Sequence, residues 1–427
     1  MNEPFLHYLW KFRLCIPDLS TTQGETLVIL HPGTHNHDEG PDFANALIRI
    51  GDTTWAGNVE IHVKASDWYA HRHERDHAYR SVILHVVYEN DRPVYRNDGE
   101  EIPTLQVNGN YPESIYNTYQ SFVTSQKWIP CFPLLEKNHE IYLRLWSPAL
   151  SLERLTIKAA EIRKLFFQTD SDWEETLFQW LGISFGFRIN ALPFELLTRS
   201  ITYRIIQRHS LDLTDIEALL FGQAGMLNTE CSDQYVLLLK ARYARLSEKY
   251  HLSPCDSSLW KYLRLRPANF PTLRISQFAS LLRNLNGQLI SMIEEDLNHW
   301  NDKLLHVSSS SYWNTHYTFG RLSGDGIKYL GESSRRLILI NGVIPFTYFY
   351  GEQKGDRSLQ EKALHMLDNC PPEENSELRN WSKLGIPIDN ALFSQSLIHL
   401  RKNYCHEKRC LECRLGRQLL NIHTGEG

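Results

Sequence analysis

Apolar residues recur at two different periods along this chain, and the change between them divides it. Through roughly the first 110 residues the runs are short and mixed. NEPFLHYLWKFRL has apolar residues at helical spacing, TLVILHPG reads as a strand ending in a turn, and ANALIRI alternates up to the GDTT turn, after which WAGNVEIHV returns as a second alternating strand. SDWYAHRHERDHAYRS follows as a predicted helix, with Ser66 or Asp67 at its N-cap, and VILHVVYE reads as a largely buried strand. The predicted order is αβββαβ. From about residue 140 the period turns helical, as in SLERLTIKAAEIRKLFFQ, WEETLFQWLGISFGF and DQYVLLLKARYARLSEKY. The expected class is therefore α+β, with an N-terminal module over residues 1–135 and a mostly helical domain over 136–427. YPESIYNTYQSF, near the join, has the aromatic content of a packed segment.

Composition changes this picture little. The chain has 427 residues, 42% hydrophobic and 22% charged, ordinary usage for a globular protein. A formal charge of −5 argues against a whole-surface polyanion binder and restricts any nucleic-acid contact to a patch. MNEPFLHYLWKFRLC lacks a basic segment followed by an apolar one, and no long apolar run follows, so the expectation is a cytoplasmic protein without a membrane span.

The chemistry is concentrated in GPDFANALIRIGDTTWAGNVEIHVK. Strand side chains alternate, so Glu60, His62 and Lys64 project from one face at intervals of about 6.6 Å, while Val59, Ile61 and Val63 take the other. Asp42 lies just before the preceding strand. It reaches the same sheet end if the two strands pair through GDTT. Two carboxylates converging there could hold Mg²⁺ or Mn²⁺ through oxygens. The structural alternatives are a turn or capping role for Asp42 and a solvated strand face for Glu60.

Asp42, preceded by Pro41, with Glu60-x-His62 beyond it, resembles the pattern of the PD-(D/E)XK nuclease superfamily, and αβββαβ is similar to that superfamily's core. The resemblance implies a restriction-endonuclease-like module in which Asp42 and Glu60 bind the metal for attack on DNA or RNA phosphodiesters. It also implies a lysine where this chain has His62. Imidazole, with a reference pKa near 6.5, can position or deprotonate water there, and Lys64 is a possible substitute able to stabilise phosphate charge. A non-catalytic nucleic-acid-binding or scaffolding protein on the same fold is the alternative that this departure favours. GPDF, GNVEIH, SDWYAH, LHVVYEND, LLFGQAGM and YCHEKRCLECRLG also resemble a bacterial family known as a domain of unknown function, which implies kinship and no mechanism.

Histidines supply a rival chemistry. Eight of nineteen fall at positions 31, 35, 37, 62, 71, 73, 77 and 85. In a helix His73 and His77 share a face at i, i+4 whereas His71 and His73 do not, and a zinc-dependent hydrolase could use the former pair. Further on, Cys405, Cys410 and Cys413 form C-x4-C-x2-C, a spacing that suits Zn²⁺ or an iron-sulfur cluster given a fourth ligand, for which Cys370 is the candidate. Arg264, Arg266 and Arg274, close to Phe270, could contact phosphate and stack on bases; pairing with acids at a domain joint is the plainer role.

Overall fold

A computed structural model describes residues 1–15, 18–36, 38–96, 98–134 and 139–422, with backbone alone at 139, 303–304 and 421–422. The chain forms two compact units, Met1–Tyr142 with Arg401–Gly427, and Leu143–Leu400. The C-terminal cysteine segment thus belongs to the first unit.

The first unit opens with helix α1 (Glu3–Lys11), whose Asn2 cap accepts from the Phe5 N–H and whose Phe5, Leu6, Leu9 and Trp10 are buried. Strands β1 (Leu27–His31), β2 (Thr34–His35), β3 (Phe43–Ile50), β4 (Thr53–Lys64), β5 (Val82–Glu89) and β6 (Thr104–Gln106) build a mixed sheet in the order β1-β3-β4-β5-β6, with β2 on β3. The β1/β3 and β3/β4 pairs are antiparallel, and β4/β5 and β5/β6 are parallel. Both faces of β5 are covered, including His85, which explains its unbroken apolar run. β2 and β6 are short additions that two or three residues of pattern do not announce. Helix α3 (Glu113–Thr124) buries Ile115, Tyr119 and Phe122, so the aromatic join is packed.

The predicted helix over 66–81 is the main correction. Only α2 (Asp67–Ala70) is α-helical; Arg72 is left-handed at φ 62°, and two 3-10 turns, His73–Arg75 and His77–Ser81, complete the crossover to β5. Asp76 caps the second turn by accepting from the Ala78 N–H. Beyond Ala70 the stretch has no apolar period to hold a helix against the sheet, so local side-chain bonds decide its path. His73 and His77 therefore do not share a helix face.

Gly57 of β4 permits the β4/β5 pairing. A Cβ there would stand 2.4 Å from Ile83 Cγ2 and 2.6 Å from the Ser81 carbonyl oxygen. Gly57→Val should destabilise the protein by about 1–3 kcal/mol in urea unfolding, the usual cost of overpacking.

The second unit is helical, apart from a two-stranded ribbon, His316–Thr318 with Arg321–Leu322. Its core gathers Phe178, Phe185, Phe194, Phe221, Phe278 and Trp313. The glycines of LLFGQAGM mark close packing: a Cβ on Gly222 would meet the Tyr243 ring at 2.1 Å. Among the described residues no helix is long and apolar enough to cross a membrane.

Candidate metal centre

β3 and β4 turn through Gly51 and Asp52, so Ile50 faces Thr53, and a one-residue slip between Ala46 and Phe43, where Asn45 is left-handed at φ 57°, then sets Phe43 against Val59. That register sets Asp42 beside Glu60. The two are cross-tied: the Asp42 N–H donates to Glu60 Oε2 at 3.1 Å, and the Ile61 N–H donates to Asp42 Oδ2 at 2.9 Å. From α1, His7 Nε2 lies 3.3 Å from Asp42 Oδ2. Glu60 is only 5% exposed.

On the same side of β4, His62 is buried beneath an imidazole cluster. Its Nδ1 is 2.8 Å from His85 Nε2 and its Nε2 is 3.1 Å from His71 Nδ1. Glu60 Oε1 receives both His62 Nε2, at 3.5 Å, and His73 Nε2, at 3.4 Å. One donor atom from each of His62, His71 and His73 lies within 4.8 Å of the others. The left-handed turn at Arg72 makes this possible, since it brings His71 and His73, which flank it in sequence, onto His62 together. Packing fixes the rings: His73 stacks on Tyr79 at 3.8 Å, and buried Trp68 stands edge-on to His73 at 5.4 Å.

Protonation follows from burial. Desolvation, then the Asp42 charge, pushes the Glu60 carboxyl up to about 9. Burial acts on Asp42 in the same direction, but His7 and the Ile61 N–H outweigh it and hold that carboxyl below its ordinary value. Desolvation and neighbouring imidazoles push His62 down to about 2, and His85, for the same reasons, down to about 3. At neutral pH the centre therefore holds an ionised Asp42, a protonated Glu60 and neutral imidazoles at His62 and His85. A cation placed among them would take Glu60's proton's place, and neutral imidazole is the form that ligates. If His62 ligates through Nε2, its Nδ1–H donates to His85, the supporting bond that ligating histidines commonly make.

Lys64 departs from this group. Its Nζ is 3.7 Å from Glu89 Oε2, both side chains half exposed, and its N–H donates to Asp67 Oδ2. His77 is exposed, His35 stacks on Phe43, and His37 lies outside the described residues. Sequence reasoning passed over Glu3 and His7, and it counted His85 among the clustered histidines without giving it a partner. Glu3 and His7 stand at i, i+4 on α1, a signal that was there to read; Glu3 is raised by burial and by Asp42.

Cys405, Cys410 and Cys413 are buried in the first unit, and the thiol that shares their electrostatic surroundings is Cys131. Cys370 is part of the helical unit's core, where its carbonyl accepts from the Ala391 N–H. Arg264 and Arg266 are exposed on the helical unit, whereas Arg274 is 4% exposed and bonds to Gln277, Asn269 and Ser334.

No curated protein and no solved structure matches the chain, so the nuclease resemblance of Asp42 and Glu60-x-His62 gains no support from either comparison. The family model described as "Protein of unknown function (DUF2851)" matches residues 3–376, and the chain belongs to that family.

Proposed function

We propose that the first unit is a metal-dependent phosphodiester hydrolase acting on nucleic acid, built on a restriction-endonuclease-like core. The carrying observation is the cross-tied Asp42–Glu60 pair with His62 and His73 on the same Glu60 oxygen. In support of the fold, α1, β1, β3, β4, the crossover and β5 follow the order αβββαβ, with β2 and β6 as additions. The donor set is nitrogen-rich, which suits Mn²⁺ or Zn²⁺ better than Mg²⁺. When bound, such an ion would polarise a phosphoryl oxygen and make a water more acidic. Glu60 and the imidazoles of His62, His71 and His73 would hold it, Asp42 would hold or orient its free side, and His7 would keep Asp42 ionised. Asp42 and His7 open onto a groove of about 1080 Å³ lined by Lys11, Lys408, Arg409 and Arg417 and equally by carboxylates, Asp38, Glu407 and Glu412 with Asp42, so a nucleic-acid strand would follow its cations and Tyr119 rather than a uniformly basic surface.

Full-length protein incubated with DNA and RNA in Mn²⁺, Zn²⁺ or Mg²⁺ should cleave in a chelator-sensitive way, and His73→Ala should be at least about tenfold slower at low metal concentration. Equal cleavage by wild type, Asp42→Asn and Glu60→Gln would mean a contaminant. Nucleic-acid binding without turnover in any metal would leave the scaffolding alternative, and stoichiometric Zn²⁺ with hydrolysis of small esters alone would select the zinc-hydrolase reading favoured by the three imidazoles. Arg264→Ala with Arg266→Ala should weaken nucleic-acid binding across sequences and lower its salt slope by about one unit per lost phosphate contact.

The buried thiols of Cys131, Cys405, Cys410 and Cys413 form a second donor set, with Cys131 in the place given to Cys370 on sequence. Their burial keeps them protonated until a metal displaces the protons. Around one zinc, thiolates at about 2.3 Å stand about 3.8 Å apart. Among the described residues only the histidine trio gathers three donor atoms within 4.8 Å, so the wider thiol set suits an iron-sulfur cluster better than a single ion. Anaerobically purified protein should carry iron and inorganic sulfide, and Cys131→Ser should lose them while Cys370→Ser retains them.

A further inference from the structure

Arg274 sits where a cation is costly. It belongs to the first turn of the helix Pro271–Leu285, its guanidinium is 4.9 Å from the centre of the Phe187 ring, and it is almost wholly buried. Its bonds run to neutral oxygens: Gln277 Oε1 at 2.9 Å, Asn269 Oδ1 at 2.6 Å and Ser334 Oγ at 2.7 Å. Nε has no acceptor. Among the described residues no carboxylate acts on it, and burial alone pushes its pKa down to about 10.

Helix ends do not supply the missing charge. The C-terminal end of the helix Trp173–Gly186, at Gly186 and Phe187, offers roughly half a negative charge, and the N-terminus of Arg274's own helix, which no side chain caps, offers roughly half a positive one. They offset each other, leaving a buried guanidinium uncompensated, an unfavourable arrangement unless an anion joins it.

Beside this guanidinium is a cavity of about 280 Å³, which Phe185, Phe187, Phe194 and Leu337 make mostly apolar, with Asn190, Asn269, Ser333 and Ser334 as its neutral polar part and the exposed Arg188 at its edge. That volume is near the lower end of small-molecule sites, about 300–1,000 Å³. We propose that this cavity binds a small organic carboxylate with a flat apolar body, the carboxylate meeting Arg274 and the body lying among the phenylalanine rings. Of the two cations lining the cavity only Arg274 is buried, Arg188 being exposed to solvent, and one buried positive charge matches a monoanion; a dianionic phosphate would bring a second charge into the apolar lining. A nucleic-acid backbone would have to enter a cavity made for something far smaller.

The test uses the full chain and three probes of one shape, benzoate, benzamide and benzylammonium, titrated calorimetrically. Benzoate should bind saturably, with benzamide and benzylammonium at least about tenfold weaker. Leu265→Trp, which fills the cavity from its lining loop, and Arg274→Gln should each reduce benzoate binding at least about tenfold. The proposal is overturned if benzoate shows no saturable binding, if benzamide or benzylammonium binds as well, or if Leu265→Trp binds like wild type. Should Arg274→Gln fail to fold, the probe series and Leu265→Trp decide between these outcomes.

Discussion

Asp42→Asn will lower metal-dependent hydrolysis by about 10³-fold or more, with the fold retained. Asparagine has an oxygen for the Ile61 N–H that now reaches Asp42 Oδ2, so the strand tie survives. What disappears is the ionised oxygen of the pair. His7 and the Ile61 N–H hold Asp42 charged while burial keeps Glu60 protonated, so before a cation arrives the attraction comes from Asp42. Losing about 4 kcal/mol of interaction with the cation and the charge developing in the transition state corresponds to three decades in rate. Glu60→Gln should cost about as much, and the double variant little more, because the two carboxylates act as one unit. Lys64→Ala should cost less than about threefold, since its amine already faces Glu89 at an exposed edge. Single-turnover cleavage at saturating Mn²⁺ reads all four. A large effect at Lys64 beside a small one at Asp42 would remove the assignment.

The acid pair was legible in part. A tight GDTT turn brings the two strands together, but its register alone would set Asp42 against Ile61; a one-residue slip between Ala46 and Phe43, with Asn45 left-handed at φ 57°, moves Asp42 onto Glu60, and the alternation of FANALIRI does not announce it. The imidazole cluster was half legible. Its histidines stand out in the sequence, but their meeting depends on an interruption of the helix at Arg72 that helical patterning hides, and the predicted partners, His73 and His77, were consequently the wrong two. His85 reads as one more residue of a buried strand, because nothing in VILHVV tells a hydrogen-bonded imidazole from an apolar neighbour. Cys131 and Arg274 show a different limit. The association of Cys131 with thiols far along the chain, and the depth of Arg274 against the exposure of Arg264 and Arg266, are set by tertiary packing, which short-range spacing does not encode.

Stability of the metal-free protein should peak near pH 6.5 at this centre, and the two sides of the peak have different owners. His62 and His85 are depressed in the folded state, so their neutral forms stabilise it above the ordinary imidazole value near 6.5, and that contribution is lost as pH falls toward 3. Glu60 is raised, so its contribution is complete below the ordinary carboxyl value near 4.5 and is lost as pH climbs to about 9. Between 4.5 and 6.5 two imidazoles oppose one carboxyl, and stability rises with pH; above 6.5 Glu60 acts alone, and stability falls by up to about 1.4 kcal/mol per pH unit. Glu3 is raised in the same direction as Glu60 and adds to the fall, and His73, lowered like His62, adds to the rise below 6.5. Other titrating groups cancel when wild type is compared with Glu60→Gln, which cannot ionise. In chelator, the difference in urea unfolding free energy should move in favour of Glu60→Gln between pH 7 and 9. Added Mn²⁺ should invert that trend, because the ion makes an ionised Glu60 the favoured form in the folded protein. A difference that stays flat across this range in chelator would mean that Glu60 is ionised in the folded state at neutral pH, contrary to the balance of burial and the Asp42 charge.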